Sequence, residues 1–118
     1  MTTLREAYGS IGADYDDVRR RLMDNDAMVA RFAGKFLEDA SFAQLEAALD
    51  ARDAEVAFRA AHTLKGVAQN LGLSNLYEPA SALTEALRTG SLEGADALAR
   101  PVREQYAATC AALAEALG

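Results

Sequence analysis

Apolar residues recur along the chain at intervals of three and four, the period of helices that bury one face. Tyr15, Val18 and Leu22 keep that spacing and predict a short first helix over 14–23, after which Asp24, Asn25 and Asp26 offer a turn and an N-cap. A second helix is predicted from 27 to about 49, with Met28, Phe32, Phe36, Leu45, Ala48 and Leu49 on one face and a bend at Ser41 and Phe42. Asp53 can cap a third, whose stripe is Ala57, Ala60, Ala61, Leu64, Val67, Ala68 and Leu71, stopped by Gly72 in a left-handed conformation. Ser74 or Asn75 can start the fourth, carrying Leu83, Ala86 and Leu87 to a stop at Gly90. Pro79 lacks an N–H, so the regular part is expected only from there. A last helix, capped by Ser91, carries Ala95, Leu98, Val102, Tyr106, Cys110, Leu113 and Leu117, and Pro101 should kink or split it.

Nothing reads as a strand, and gaps of a few residues set successive long helices antiparallel. The expected fold is all-α: an up-and-down antiparallel four-helix bundle with an additional short N-terminal helix, one domain over 1–118. Residues 1–12, Leu4 and Tyr8 among them, are either a loose N-terminal arm or a segment packed across one end. Cys110 falls on the apolar face of its helix and reads as a small buried filler rather than a redox group.

Composition narrows the function. With 12 Lys+Arg against 18 Asp+Glu, the 118 residues carry a net charge of −6. That acidic balance gives no electrostatic footprint for nucleic acid or an anionic membrane, both of which need clustered Lys/Arg. No stretch approaches the roughly 18 apolar residues of a membrane span, and the N-terminus has neither the basic start nor the apolar core of a secretory signal. One cysteine cannot form an internal bridge, so a reducing cytoplasm is the expected setting. The chain reads as a complete small protein rather than a fragment. One histidine and one cysteine on different faces make no metal site. No glycine-rich phosphate loop, Ser/His/Asp order or carboxylate pair can be argued.

The one histidine stands apart. At about 100° per residue, the stripe of the third helix centres roughly 160° away from His62, which therefore points outward. Gly66 follows one turn later, roughly 40° round on the same outer face. A glycine inside a helix costs about 1 kcal/mol relative to alanine, and core packing cannot be the reason for one that faces outward. Loss of the Cβ beside an imidazole clears the approach for a bulky reactant or another protein's active site. Arg59, Lys65 and Gln69 lie around the same face and can reach an anion attached to the ring. An exposed imidazole is largely neutral at cytoplasmic pH and so nucleophilic, suited to accepting a phosphoryl group.

The stretch Ala61-His62-Thr63-Leu64-Lys65-Gly66-Val67-Ala68-Gln69-Asn70-Leu71-Gly72 resembles the signature of histidine-containing phosphotransfer (HPt) domains. That signature is a histidine followed by lysine three residues later, glycine four later and a second glycine ten later. More loosely, the resemblance covers about 14–117. It implies a phosphoryl carrier rather than an enzyme: a bundle whose exposed histidine accepts phosphoryl from a receiver-domain aspartyl phosphate, or from a histidine kinase, and passes it to another receiver. His62 would be the acceptor, Lys65 the phosphate partner, Gly66 the clearance and Gly72 the helix end; Arg59 and Gln69, from their place on the same face, are further candidate phosphoryl or partner contacts. No cofactor is implied, since Mg²⁺ would come from the receiver. Many members carry a Glu or Gln on the following helix that orients the imidazole. The aligned position here is Thr84, with Glu85 roughly 100° round. Either the Thr84 hydroxyl or water would then orient the ring, or Thr84 is an ordinary surface residue. Phe58, one turn before His62, is either part of an apolar docking patch or packed on the long second helix. The alternative function is a helical adaptor that binds receiver or kinase domains without carrying phosphate, against which His62, Lys65 and Gly66 all speak.

Overall fold

The computed structural model describes residues 2–118, and among these every regular element is an α-helix: α1 (Leu4–Ser10), α2 (Tyr15–Arg21), α3 (Asp26–Leu37), α4 (Ser41–Asp50), α5 (Ala54–Asn70), α6 (Ser74–Leu87) and α7 (Ala95–Leu117). Local chemistry sets most of the starts. Asp14, Asn25 and Asp53 each turn a side-chain oxygen onto a backbone N–H of the first turn of α2, α3 and α5. Thr3 and Glu6 form a reciprocal capping box on α1. Four walls make the bundle: α3 and α4 in succession, then α5, α6 and α7, with α5 packed between α4 and α6, and α7 between α6 and α3. Side-chain pairs fix the direction of the closing wall. Asp96, Arg103 and Tyr106 of α7 meet Arg52, Glu46 and Phe42 in turn, and Tyr106 also meets Phe36, so α7 runs antiparallel to α4 and α3.

The single long second helix expected over 27–49 is two helices, and the break falls at 38–40 rather than at Ser41 and Phe42. Asp39 Oδ1 accepts the backbone N–H of Ser41 at 2.8 Å, an alternative to the helical ladder that short polar side chains offer. Phe32, read as core, is 37% exposed. The fourth helix starts at Ser74 and contains Pro79, which costs it one backbone bond, while Leu76, Ala80, Leu83 and Leu87 hold the segment down. Helix α7 likewise continues through Pro101 without splitting, anchored by Ala95, Ala99 and Val102. Its N-cap is Gly94, in the left-handed region, and Ser91 instead accepts a hydrogen bond from Glu93 N in the preceding turn. Cys110 is half-buried, and desolvation raises its thiol pKa, as suits a filler.

Over the described residues the N-terminal segment is not a loose arm. Helix α1 packs against α7 and α2. Tyr8 is fully buried, edge-on to Tyr15 with ring centroids 5.4 Å apart, and its hydroxyl donates to Leu71 O at 2.7 Å. That bond seats α1 on the end of α5. Asp14 N donates to Gly72 O beside it, and a Cβ on Gly72 would lie 3.0 Å from Asp14 O and 3.3 Å from Val18 Cβ. With φ at +65°, Gly72 is required both by its backbone conformation and by this close approach. The turn that ends α5 is thus clamped from outside the four walls.

Candidate functional site

Helix α5 buries Ala57, Ala60, Ala61, Leu64 and Ala68, a face of mostly small side chains that lets α4 and α6 approach closely. Packing that face inward leaves His62 and Thr63 exposed, with Lys65 and Gly66 half-buried. A Cβ built on Gly66 meets nothing within 4 Å. No part of this fold requires a glycine there.

His62 borders a shallow cavity of about 420 Å³ lined by Phe58, Arg59, Thr63 and, from the C-cap of α6, Arg88. The Phe58 ring lies 6.0 Å from the imidazole, tilted by 44°. The Arg88 guanidinium carbon stands 5.2 Å from the Phe58 ring centroid, a cation over an aromatic face. Phe58 therefore borders the site on the α6 side, half-buried against the core. Arg88 is also held by Glu85 through two hydrogen bonds of 3.0 Å each. The Glu85 carboxyl is kept below its ordinary value chiefly by the bond from Arg88, with the charges of Arg88, Lys65 and His62 adding to it.

The sequence-predicted residues divide. Arg59 shares the cavity with His62, at the edge of an exposed 4.0 Å ion pair with Glu55. Lys65 has no carboxylate within ion-pair distance among the described residues, so its charge is available to an incoming anion. Gln69 lies about 10 Å further along the helix axis and lines a different depression with Asp14, Asp17 and Arg21, while its backbone oxygen accepts from Arg21. It is not brought to His62. Thr84 is a correction: it is 0% exposed, and its hydroxyl donates to Ala80 O at 2.7 Å. It is neither a surface residue nor an imidazole partner. On a helical projection Ala80, Leu83, Thr84 and Leu87 form one arc, so the calculation that set His62 outside also sets Thr84 inside. Glu85 and Arg88, which sequence reasoning passed over as site residues, are the groups α6 presents instead.

A second opening, of about 450 Å³, separates α3 from α5 and is lined by Leu22, Phe32, Phe36, Val67 and Leu71, with Arg21, Lys35, Asp39 and Asn70 around them. Lys35 lies over the exposed Phe32 ring at 5.5 Å. Among the described residues no group of three or more His, Cys, Asp or Glu side chains is placed to hold a metal ion. Among the described residues no helix is long and apolar enough to cross a membrane.

Fold and site together define a helical bundle that displays its sole imidazole from the middle of one wall, amid cations and clear of backbone obstruction. The family model for the Hpt domain matches residues 31–116. The chain belongs to that family, whose role is phosphotransfer in two-component phosphorelays, in association with receiver and kinase domains. No curated protein and no solved structure matches the chain.

Proposed function

We propose that this chain is the phosphohistidine carrier of a two-component phosphorelay, with His62 as the acceptor. An unprotonated ring nitrogen attacks the phosphorus of a receiver aspartyl phosphate. The N–P bond forms as the donor's O–P bond breaks, and the donor leaves as a carboxylate; a histidine kinase is the other candidate source of the phosphoryl group. A second receiver aspartate reverses the step. The chain itself contributes position and charge, with Lys65 and Arg59 meeting the phosphoryl oxygens. Mg²⁺ and the acidic pocket belong to the receiver, the carrier has no cofactor of its own, and the relay operates in the cytoplasm. Gly66 admits the receiver's active site to the ring. The groove between α3 and α5 opens at Val67 and Asn70, beside Gly66, and gives the visiting domain apolar surface to rest on.

The observation that carries this reading is the solvent-facing imidazole beside a helical glycine that nothing in the fold requires. The test is incubation with phosphorylated receiver domains and Mg²⁺, scored as acid-labile label. His62→Gln should abolish labelling and leave helical content and melting temperature unchanged, because an outward side chain contributes little to packing. Absence of label on the unsubstituted protein with several receivers and kinases would favour the adaptor instead.

A further inference from the structure

Arg88 is the one cation that borders the His62 cavity from a neighbouring helix, and it is already engaged. We propose that the Glu85–Arg88 pair is a charge latch on the phosphoryl site: Glu85 holds Arg88 over Phe58 while His62 is free, and phosphorylation of His62 draws the guanidinium onto the phosphoryl oxygens. Glu85 is then a positioning residue that acts through Arg88 and shortens the life of the phosphorylated state. This rests on the assignment of His62 as acceptor and adds a regulator to it.

Three features carry the inference. First, the pair is solvent-exposed, with side chains 53% and 55% accessible, so water and salt weaken it and it opens readily. Second, the guanidinium fork that now meets the two Glu85 oxygens in parallel is equally matched to a phosphoryl group, which carries more charge than a carboxylate. Third, the competing groups are few. Lys65 and Arg59 on α5 are cations that favour the phosphoryl group. Among the groups contributing to this site, Glu85 is the anion whose charge is coupled to both Lys65 and His62. A phosphoryl on His62 would enter the field of that carboxylate, and Arg88, already paired with Glu85, borders the same cavity as the imidazole.

The latch predicts a dependence between two substitutions. Purified protein is labelled at its sole histidine with potassium phosphoramidate, which needs no partner, and the half-life of the N–P bond is then followed. Water attacks phosphorus, the imidazole leaves, and inorganic phosphate appears. Arg88→Ala should shorten the half-life by about tenfold, the worth of one lost charge-assisted contact, and Arg88→Lys should restore part of it. Glu85→Gln should lengthen the half-life about threefold, and that gain should vanish in the Arg88→Ala background. Melting curves of all variants should coincide to within a degree or two, since both side chains lie outside the core. An equal gain from Glu85→Gln with or without Arg88 would show simple charge repulsion and overturn the latch. So would unchanged half-lives in a protein that labels well. Failure of the unsubstituted protein to label would remove the acceptor assignment itself, and the latch with it.

Discussion

Gly66→Ala separates the stability of the helix from access to the imidazole. The residue sits in the thirteenth position of the 17-residue α5, with helical neighbours on both sides and no atom within 4 Å of the added Cβ. Alanine should therefore stabilise the protein through the lost backbone freedom of the unfolded chain, by about 1 kcal/mol. With an unfolding entropy of about 2 cal/mol/K per residue over 118 residues, that corresponds to a rise of about 4 °C in melting temperature. Transfer from a phosphorylated receiver should nevertheless fall at least about tenfold, because a methyl group that fits the isolated bundle stands between the ring and a docked domain. Labelling by phosphoramidate, a reagent of a few atoms, should change less than about twofold. Gly34→Ala supplies the control. It too is a helical glycine with open space at its Cβ, and it lies on the side of α3 away from Phe32 and Phe36. It should give the same stabilisation with unaltered transfer. The reasoning fails if Gly66→Ala lowers the melting temperature, or if it raises it and receiver transfer is unaffected.

Gly72→Ala should act in the opposite sense. The left-handed backbone and the 3.0 Å approach to Asp14 O together should cost about 2 kcal/mol, a drop of about 8 °C by the same conversion, read by thermal melting. Thr84→Val keeps the shape and removes the hydroxyl. Since that hydroxyl bonds Ala80 O, melting should shift by no more than about 1 kcal/mol, and the half-life of phosphorylated His62 should not change; a shortened half-life would return Thr84 to the site. Alkaline pH should destabilise the fold. Burial raises Tyr8 well above the ordinary 10.0, and raises Tyr15 and Tyr106 to about 12. Below pH 10 these phenols are neutral in both states and their burial costs nothing in protons. Between about pH 10 and 12 the unfolded chain ionises first, binds fewer protons than the folded one, and stability falls. Urea melts from pH 8 to 12 should show that decline, shallower in Tyr8→Phe, and a flat profile would refute it.

The features legible in the sequence are those decided within a few residues. Asp14, Asn25 and Asp53 cap helices because a short side-chain oxygen reaches its own backbone, and Gly72 and Gly90 end them because the chain turns left-handed there. His62 is legible for a related reason: seven stripe positions from Ala57 to Leu71 fix the phase of its helix, and the imidazole falls opposite. The break at 38–40 is not, since the apolar positions before and after it serve the same core and the period alone continues across it. Pro79 and Pro101 mislead in the other direction. Each removes one backbone bond, and burial of the residues around it outweighs that loss, a tertiary term with no local signature.

The site's second half depends on how α6 is rotated against α5. Counting along the chain selects Thr84, yet the arc of Ala80, Leu83 and Leu87 draws Thr84 inward and turns the exposed Glu85 and Arg88 toward the edge shared with α5. In this chain the phase that buries Leu83 and Leu87 also buries the short Thr84 side chain at the edge of their arc. Burial of two leucines stabilises the fold by about 2 kcal/mol each, more than one surface hydrogen bond returns, so the core decides the phase. The chemistry at the imidazole must then be built from whatever that phase exposes. In this chain it exposes the paired carboxylate and guanidinium of Glu85 and Arg88, and it is the Arg88 charge, not a side chain at position 84, that borders the imidazole.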